Sequence, residues 1–102
     1  MKERRQHPRR PVDGQFAGVH STLSVQVLDI SVSGVLLQAQ RPVHIGERGS
    51  LRLSLGGVPL TADVEVRRVS GTAKGGVGYR VGVTFLAFTP EHAHLIERFI
   101  SE

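Results

Sequence analysis

From Leu60 to Arg67 the chain alternates without a break. Leu60, Ala62, Val64 and Val66 are apolar, and Thr61, Asp63, Glu65 and Arg67 between them are polar. An extended strand sorts such a run onto two faces, because its side chains repeat every two residues; a helix would scatter it around its circumference. A strand of this kind has one face to bury, so the chain must supply others to cover it. Leu23, Val25 and Val27 alternate with Ser24 and Gln26, and Leu51, Leu53 and Leu55 with Arg52 and Ser54. Near the end, Val77, Tyr79, Val81, Val83 and Phe85 alternate with Gly78, Arg80, Gly82 and Thr84. Val35-Leu36-Leu37 reads as a further short strand after Gly34, and a less regular one falls around residues 15–19. Gly56-Gly57 between two such runs predicts a hairpin turn, and Gly75-Gly76 is expected to open the last strand.

Thr89-Pro90-Glu91 changes the pattern. A capping hydroxyl, a proline at the first helical position and an acid in the first turn announce a helix. Leu95, Ile96, Phe99 and Ile100 form its apolar stripe. So short a helix is marginal alone and must pack on the strands. The expected fold is mainly β: a small six-stranded antiparallel β-barrel over residues 11–88, a short C-terminal α-helix over 89–102 and a flexible basic arm over 1–10, in a single domain of 102 residues. Twelve glycines with one tyrosine and no tryptophan suit a barrel with tight turns. The absence of cysteine excludes disulfides and thiolate metal sites. No apolar run approaches the ~18 residues that span a bilayer, and no signal-peptide core follows the basic start, so a soluble, cytoplasmic protein is expected.

Charge is distributed unevenly. Residues 1–10 carry Lys2, Arg4, Arg5, Arg9 and Arg10 against Glu3, which accounts for the whole net charge of +4. The other residues hold equal numbers of acids and bases. A neutral body with one basic arm suits a compact anionic partner, whereas nucleic acid spread along a surface favours a uniformly basic one. Read as a sequence alone, a solvated tail is the plainer account of the arm.

About twenty residues past the arm stands Asp29-Ile30-Ser31-Val32-Ser33-Gly34. Taken by itself it is a good turn, with Asp and Ser satisfying local backbone and Gly at positive φ. Taken with Arg5-Gln6-His7-Pro8-Arg9 it reads RxxxR followed by DxSxxG, and this pair resembles the ligand signature of the PilZ domain family. The likeness covers nearly the whole chain, since the strands and final helix also fit. It implies a receptor for cyclic di-GMP, a ring of two guanines and two phosphates, that works by binding and not as an enzyme. It makes Arg5 and Arg9 the signature arginines and Asp29, Ser31 and Gly34 their counterparts, and it puts Arg4 where the family often has a further ligand contact. The resemblance implies that this position biases whether one messenger binds or a stacked pair, and a third guanidinium favours the pair.

The chemistry is consistent with that assignment. The planar arginine fork donates two parallel hydrogen bonds to phosphate or to guanine O6 and N7, and it stacks on a purine. A carboxylate at Asp29 can accept from guanine N1 and N2, Ser31 both donates and accepts, and Gly34 lets a flat ligand come close. No cofactor is implied. With no output domain in the sequence, the signal must pass to a partner protein.

Two other classes compete. One is a PilZ-fold interaction module that binds no nucleotide; the intact motifs argue against it. The other is a small barrel for single-stranded nucleic acid, which usually needs aromatic stacking platforms. Phe16, Tyr79, Phe85, Phe88 and Phe99 are few, and Phe85 and Phe99 fall on core faces. His92 and His94 lie two apart on the expected helix, on different sides, and cannot share a metal. No Ser-His-Asp order, paired carboxylates or phosphate-cradling loop suggests catalysis.

Overall fold

The computed structural model describes residues 12–19, 21–71, 78–87 and 89–101. Six strands form there: β1 (Val12–Ala17), β2 (Thr22–Ile30), β3 (Gly34–Ala39), β4 (Arg48–Leu55), β5 (Val58–Gly71) and β6 (Tyr79–Phe85), followed by α1 (Pro90–Ser101). All pairings are antiparallel, and the sheet closes into a barrel in the order β1-β2-β3-β6-β5-β4. The expected barrel and terminal helix are both present. The first strand lies earlier than the expected 15–19, because Val12 and Phe16 are the residues it buries, while Val19 is left exposed in the turn. The stretch around Gly75-Gly76 and Val77 lies outside the described residues, and the described part of β6 begins at Tyr79.

The alternation does what its period requires. Leu60, Ala62, Val64 and Val66 point inward with Leu51, Leu53, Leu55, Val81 and Val83, and they share the interior with Phe16, Leu37 and the buried residues of β2 and β3. Gly56 and Gly57 join β4 to β5 as a two-residue hairpin, with φ of 59° and 85°; positive φ at both positions matches the right-handed twist of the flanking strands. Helix α1 begins as expected, with the Thr89 hydroxyl accepting the His92 N–H at 3.2 Å. Its inner face places Ile96 and Ile100 in the barrel core, with Leu95 and Phe99 packed alongside.

Strict alternation fails at two places, and both failures are β-bulges. In β2, Val27 pairs with Leu37 and Asp29 with Leu36, so Leu28 is an extra residue. In β5, Val66 pairs with Val83 and Arg68 with Gly82, so Arg67 is extra. Each bulge shifts the inward phase by one position. Continued alternation from Leu23, Val25 and Val27 would send Asp29 into the core; the bulge turns it out and puts Ile30 in. Alternation from Leu60 through Val66 would likewise bury Arg68, and the second bulge leaves Arg67 and Arg68 both exposed and returns Val69 to the core side. Val66 is held in place from the other side, since its N–H donates to Glu47 O (2.8 Å) and its C=O accepts from Gly46 N (2.7 Å).

Candidate functional site

The bulges bring Asp29 and Arg68 into register. Asp29 pairs with Leu36 on β3, Leu36 with Gly82 on β6, and Gly82 with Arg68 on β5, so the four form one transverse row on the outside of the barrel. Three strand spacings separate its ends, about 14 Å along the sheet. The row has an acid at one end and an arginine at the other. Between them lie a half-buried leucine and a glycine with no side chain, which leave the middle low.

The turn joining β2 to β3 sits at the edge of this row. Ser31 N donates to Gly34 O at 2.9 Å, the Ser31 hydroxyl donates to the same carbonyl at 3.4 Å, and Ser33 N donates to the hydroxyl at 3.4 Å. At 1% exposure, Ser31 is the one buried polar residue among those described. Its geometry is that of a residue shaping the turn. The turn is tied to β6 as well, because Ser33 O accepts from Phe85 N (3.0 Å) and from the Thr84 hydroxyl (3.1 Å).

Gly34 does not take the positive φ expected of a turn glycine. Among the described glycines, positive φ occurs at Gly46, Gly56, Gly57 and Gly78 and not at Gly34. A Cβ at Gly34 would stand 2.2 Å from Val83 O and 3.3 Å from Thr84 Cα. The missing side chain lets β6 close against β3, so this glycine belongs first to the barrel seam. The seam then holds the turn against the row.

Asp29 Oδ1 is buried and has no hydrogen-bond partner among the described residues. A buried acceptor without a donor costs about 1–3 kcal/mol, more if charged, so such an atom marks a place where a donor is missing. On the far side, a hollow of about 280 Å³ is lined by Ser33, Gly34, Leu36, Arg67, Arg68 and Thr84, among others. Glu65 accepts from both Arg48 (3.1 Å) and Arg67 (3.3 Å). Arg68 has no hydrogen-bond or ion-pair partner among the described residues. A larger hollow of about 790 Å³ opens over β1, β2 and β4, but none of the signature residues lines it, and its charged lining, Asp13 and Arg52, sums to zero.

Of the residues singled out in the sequence, the structure therefore gathers Asp29, Ser31 and Gly34 into one turn. Arg4, Arg5 and Arg9, with the arm that carries them, lie outside the described residues. Arg67 and Arg68 were not anticipated. Their signal was the break Val66-Arg67-Arg68-Val69, where two successive charges interrupt an alternating run. Phe16 is buried in the core, and Tyr79, Phe85 and Phe99 are half-buried against it, so packing takes up part of each ring. No group of three metal-ligating side chains occurs among the described residues, and no helix there is long and apolar enough to cross a membrane.

The model of the PilZ domain family matches residues 3–102. No curated protein matches the chain in sequence. Among solved structures, the PilZ domain with c-di-GMP of YcgR from Escherichia coli is similar at a TM-score of 0.80 and 19% identity, covering 99% of this chain and 88% of that one. Escherichia coli YcgR in complex with c-di-GMP gives 0.82 and 19%, covering 99% and 44%. The Bacillus subtilis inhibitor of motility MotI/DgrA gives 0.82 and 15%, covering 99% and 50%. The chain thus spans about half the length of the latter two, and at these identities the likeness speaks for the fold.

Gly34→Ala should lower stability by about 1–3 kcal/mol, the usual penalty for forcing atoms into a packed site. Thermal unfolding followed by circular dichroism will read it; an unchanged midpoint would mean the seam accommodates a methyl group.

Proposed function

Because the chain belongs to the PilZ domain family, we propose that it is a receptor for cyclic di-GMP that acts by binding and passes the messenger's level to a partner protein. The observation that carries this reading is the buried Asp29 Oδ1 at the mouth of the β2–β3 turn, which has no donor among the described residues. Guanine N1 and N2 are N–H donors, and an arriving base would supply what that atom lacks. The YcgR structures that share the fold hold c-di-GMP, which supports the same ligand here.

In this reading the turn binds one guanine through Asp29, with Ser31 holding the turn's shape and Gly34 keeping its backbone close to the sheet. Arg5 and Arg9 reach the phosphates and the O6/N7 edges from the arm, each as a two-pronged donor. Ordering the arm over the ligand costs conformational entropy, which tempers affinity and makes the covered surface depend on messenger level. Arg4 adds a third guanidinium, and a stacked pair of messengers, with four phosphates and more purine face, gives it a partner.

Calorimetric titration with cyclic di-GMP, GTP and an oligonucleotide tests the reading: binding of the first alone supports it, and binding of the oligonucleotide alone would favour a nucleic-acid barrel. Arg5→Ala and Arg9→Ala should each lose roughly 2–5 kcal/mol of binding, the range for truncating one partner of a buried charge pair. Their unfolding midpoints should hardly move. Asp29→Ala should separate the two properties in another way. Affinity falls, while the free protein keeps or gains stability, because a carboxylate atom without a donor has no hydrogen bond to lose. An Asp29→Ala protein that binds normally would remove the turn from the site. Finally, the wild-type ratio should be two nucleotides per chain, shifting toward one in Arg4→Leu with binding retained; a wild-type ratio near one would end the stacked-pair idea.

A further inference from the structure

The two bulges have a shared effect that the signature motifs do not account for. Each takes a charged residue whose strand position is in phase with the core and turns it outward. The two residues, Asp29 and Arg68, then meet at opposite ends of one row. An extra residue in a strand disrupts the ladder locally. In β5 that irregularity lets successive side chains, Arg67 and Arg68, share one face of the sheet, which regular pleating forbids.

We propose that Arg67 and Arg68 form a phosphate-binding subsite on the barrel itself, the counterpart of the arm's arginines for the same nucleotide. The proposal rests on the receptor reading above and extends it to residues outside RxxxR and DxSxxG. Three observations support it. The hollow they line also includes Ser33 and Gly34, so it is continuous with the turn. Its volume of about 280 Å³ sits just under the roughly 300–1,000 Å³ usual for a whole small ligand; it fits part of a dinucleotide lying along the row. Its charge is positive and incompletely neutralised: Glu65 is shared between Arg48 and Arg67, and Arg68 has no partner among the described residues, so the four residues carry a net +2. A cyclic dinucleotide carries two phosphate charges.

The row also has the right polarity along its length. An acceptor at Asp29 faces guanine's N–H donors, the low ground at Leu36 and Gly82 leaves room for a flat ring or sugar, and the guanidinium of Arg68 faces phosphate. A Cβ at Gly82 would already touch Arg68 Cβ at 3.5 Å, so any larger side chain there would crowd the arginine and fill the hollow. Glu65 orients Arg67 by its 3.3 Å contact and leaves Arg68 as the cation most available to an incoming anion. Because these groups sit on strands, the subsite exists before the ligand arrives.

The test is calorimetry of the full chain with cyclic di-GMP, comparing wild type, Arg68→Ala, Arg68→Lys and, as a control, Arg80→Ala on the exposed face of β6. Arg68→Ala should weaken binding roughly tenfold to a hundredfold, as loss of a charge-assisted hydrogen bond does. Arg68→Lys, which keeps the charge without the fork, should recover part of it. Arg80→Ala should stay within about twofold, the scale of an exposed charge off the site. In NMR spectra of the wild type, the Arg67 and Arg68 side-chain Nε–H signals should shift on titration. If Arg68→Ala binds as tightly as wild type while Arg9→Ala does not, the subsite is refuted and the receptor reading stands. If wild-type protein shows no binding of cyclic di-GMP, the receptor reading falls and this inference falls with it.

Discussion

A closed barrel of six short strands has one interior, and every residue is assigned to it or to the outside by a count of two. That count is the constraint on which the rest of this structure depends. The packed interior needs Ile30 and Val69 facing in, but an unbroken count through β2 or β5 would deliver Asp29 and Arg68 in their place. A carboxylate or guanidinium in that core would cost several kcal/mol unless paired. One extra residue in each strand resolves the conflict. The core is preserved, and two opposite charges come to the outer side of the sheet at matched heights, Asp29 half-buried and Arg68 exposed.

The seam between β3 and β6 makes this arrangement durable. Strands that are distant in sequence meet there, and Gly34 lets them meet closely by offering no Cβ to the Val83 carbonyl. Ser33 O, held by the Phe85 N–H and the Thr84 hydroxyl, ties the turn to the same strand that carries Gly82. The turn, the floor and the bulged strand are therefore fixed to one another through β6. A ligand lying on them would meet a surface whose parts are already in position, which lowers the entropy cost of recognition. The remaining cost falls on whatever closes over it.

Most of the architecture was legible in the sequence because alternation, glycine pairs and helix caps are local signals. The runs at Leu51–Leu55 and Leu60–Val66, the turn at Gly56-Gly57 and the cap at Thr89 all appear where those signals put them. What the sequence did not disclose is non-local. Val27-Leu28-Asp29-Ile30 and Val66-Arg67-Arg68-Val69 each read equally well as the end of a strand or as a bulge within one. Only the register against β3 and β6 decides between them. Gly34 illustrates the same gap. Its place in DxSxxG was plain, yet the reason for a glycine lies in a carbonyl 49 residues away in the chain. The signature named the turn, and the fold supplied its neighbours.

Closure of the sheet has one more consequence. Each described strand has a partner on both sides, from β1 with β2 round to β4 with β1, so none of them is an edge strand along its whole length. Proteins often recruit one another by laying a strand along an exposed edge, where main-chain hydrogen bonds supply affinity whatever the sequence. The described strands leave little room for that route. In the receptor reading a partner protein recognises side chains on the curved exterior, and those can change one at a time without disturbing the barrel. The scaffold can stay constant while that exterior diversifies.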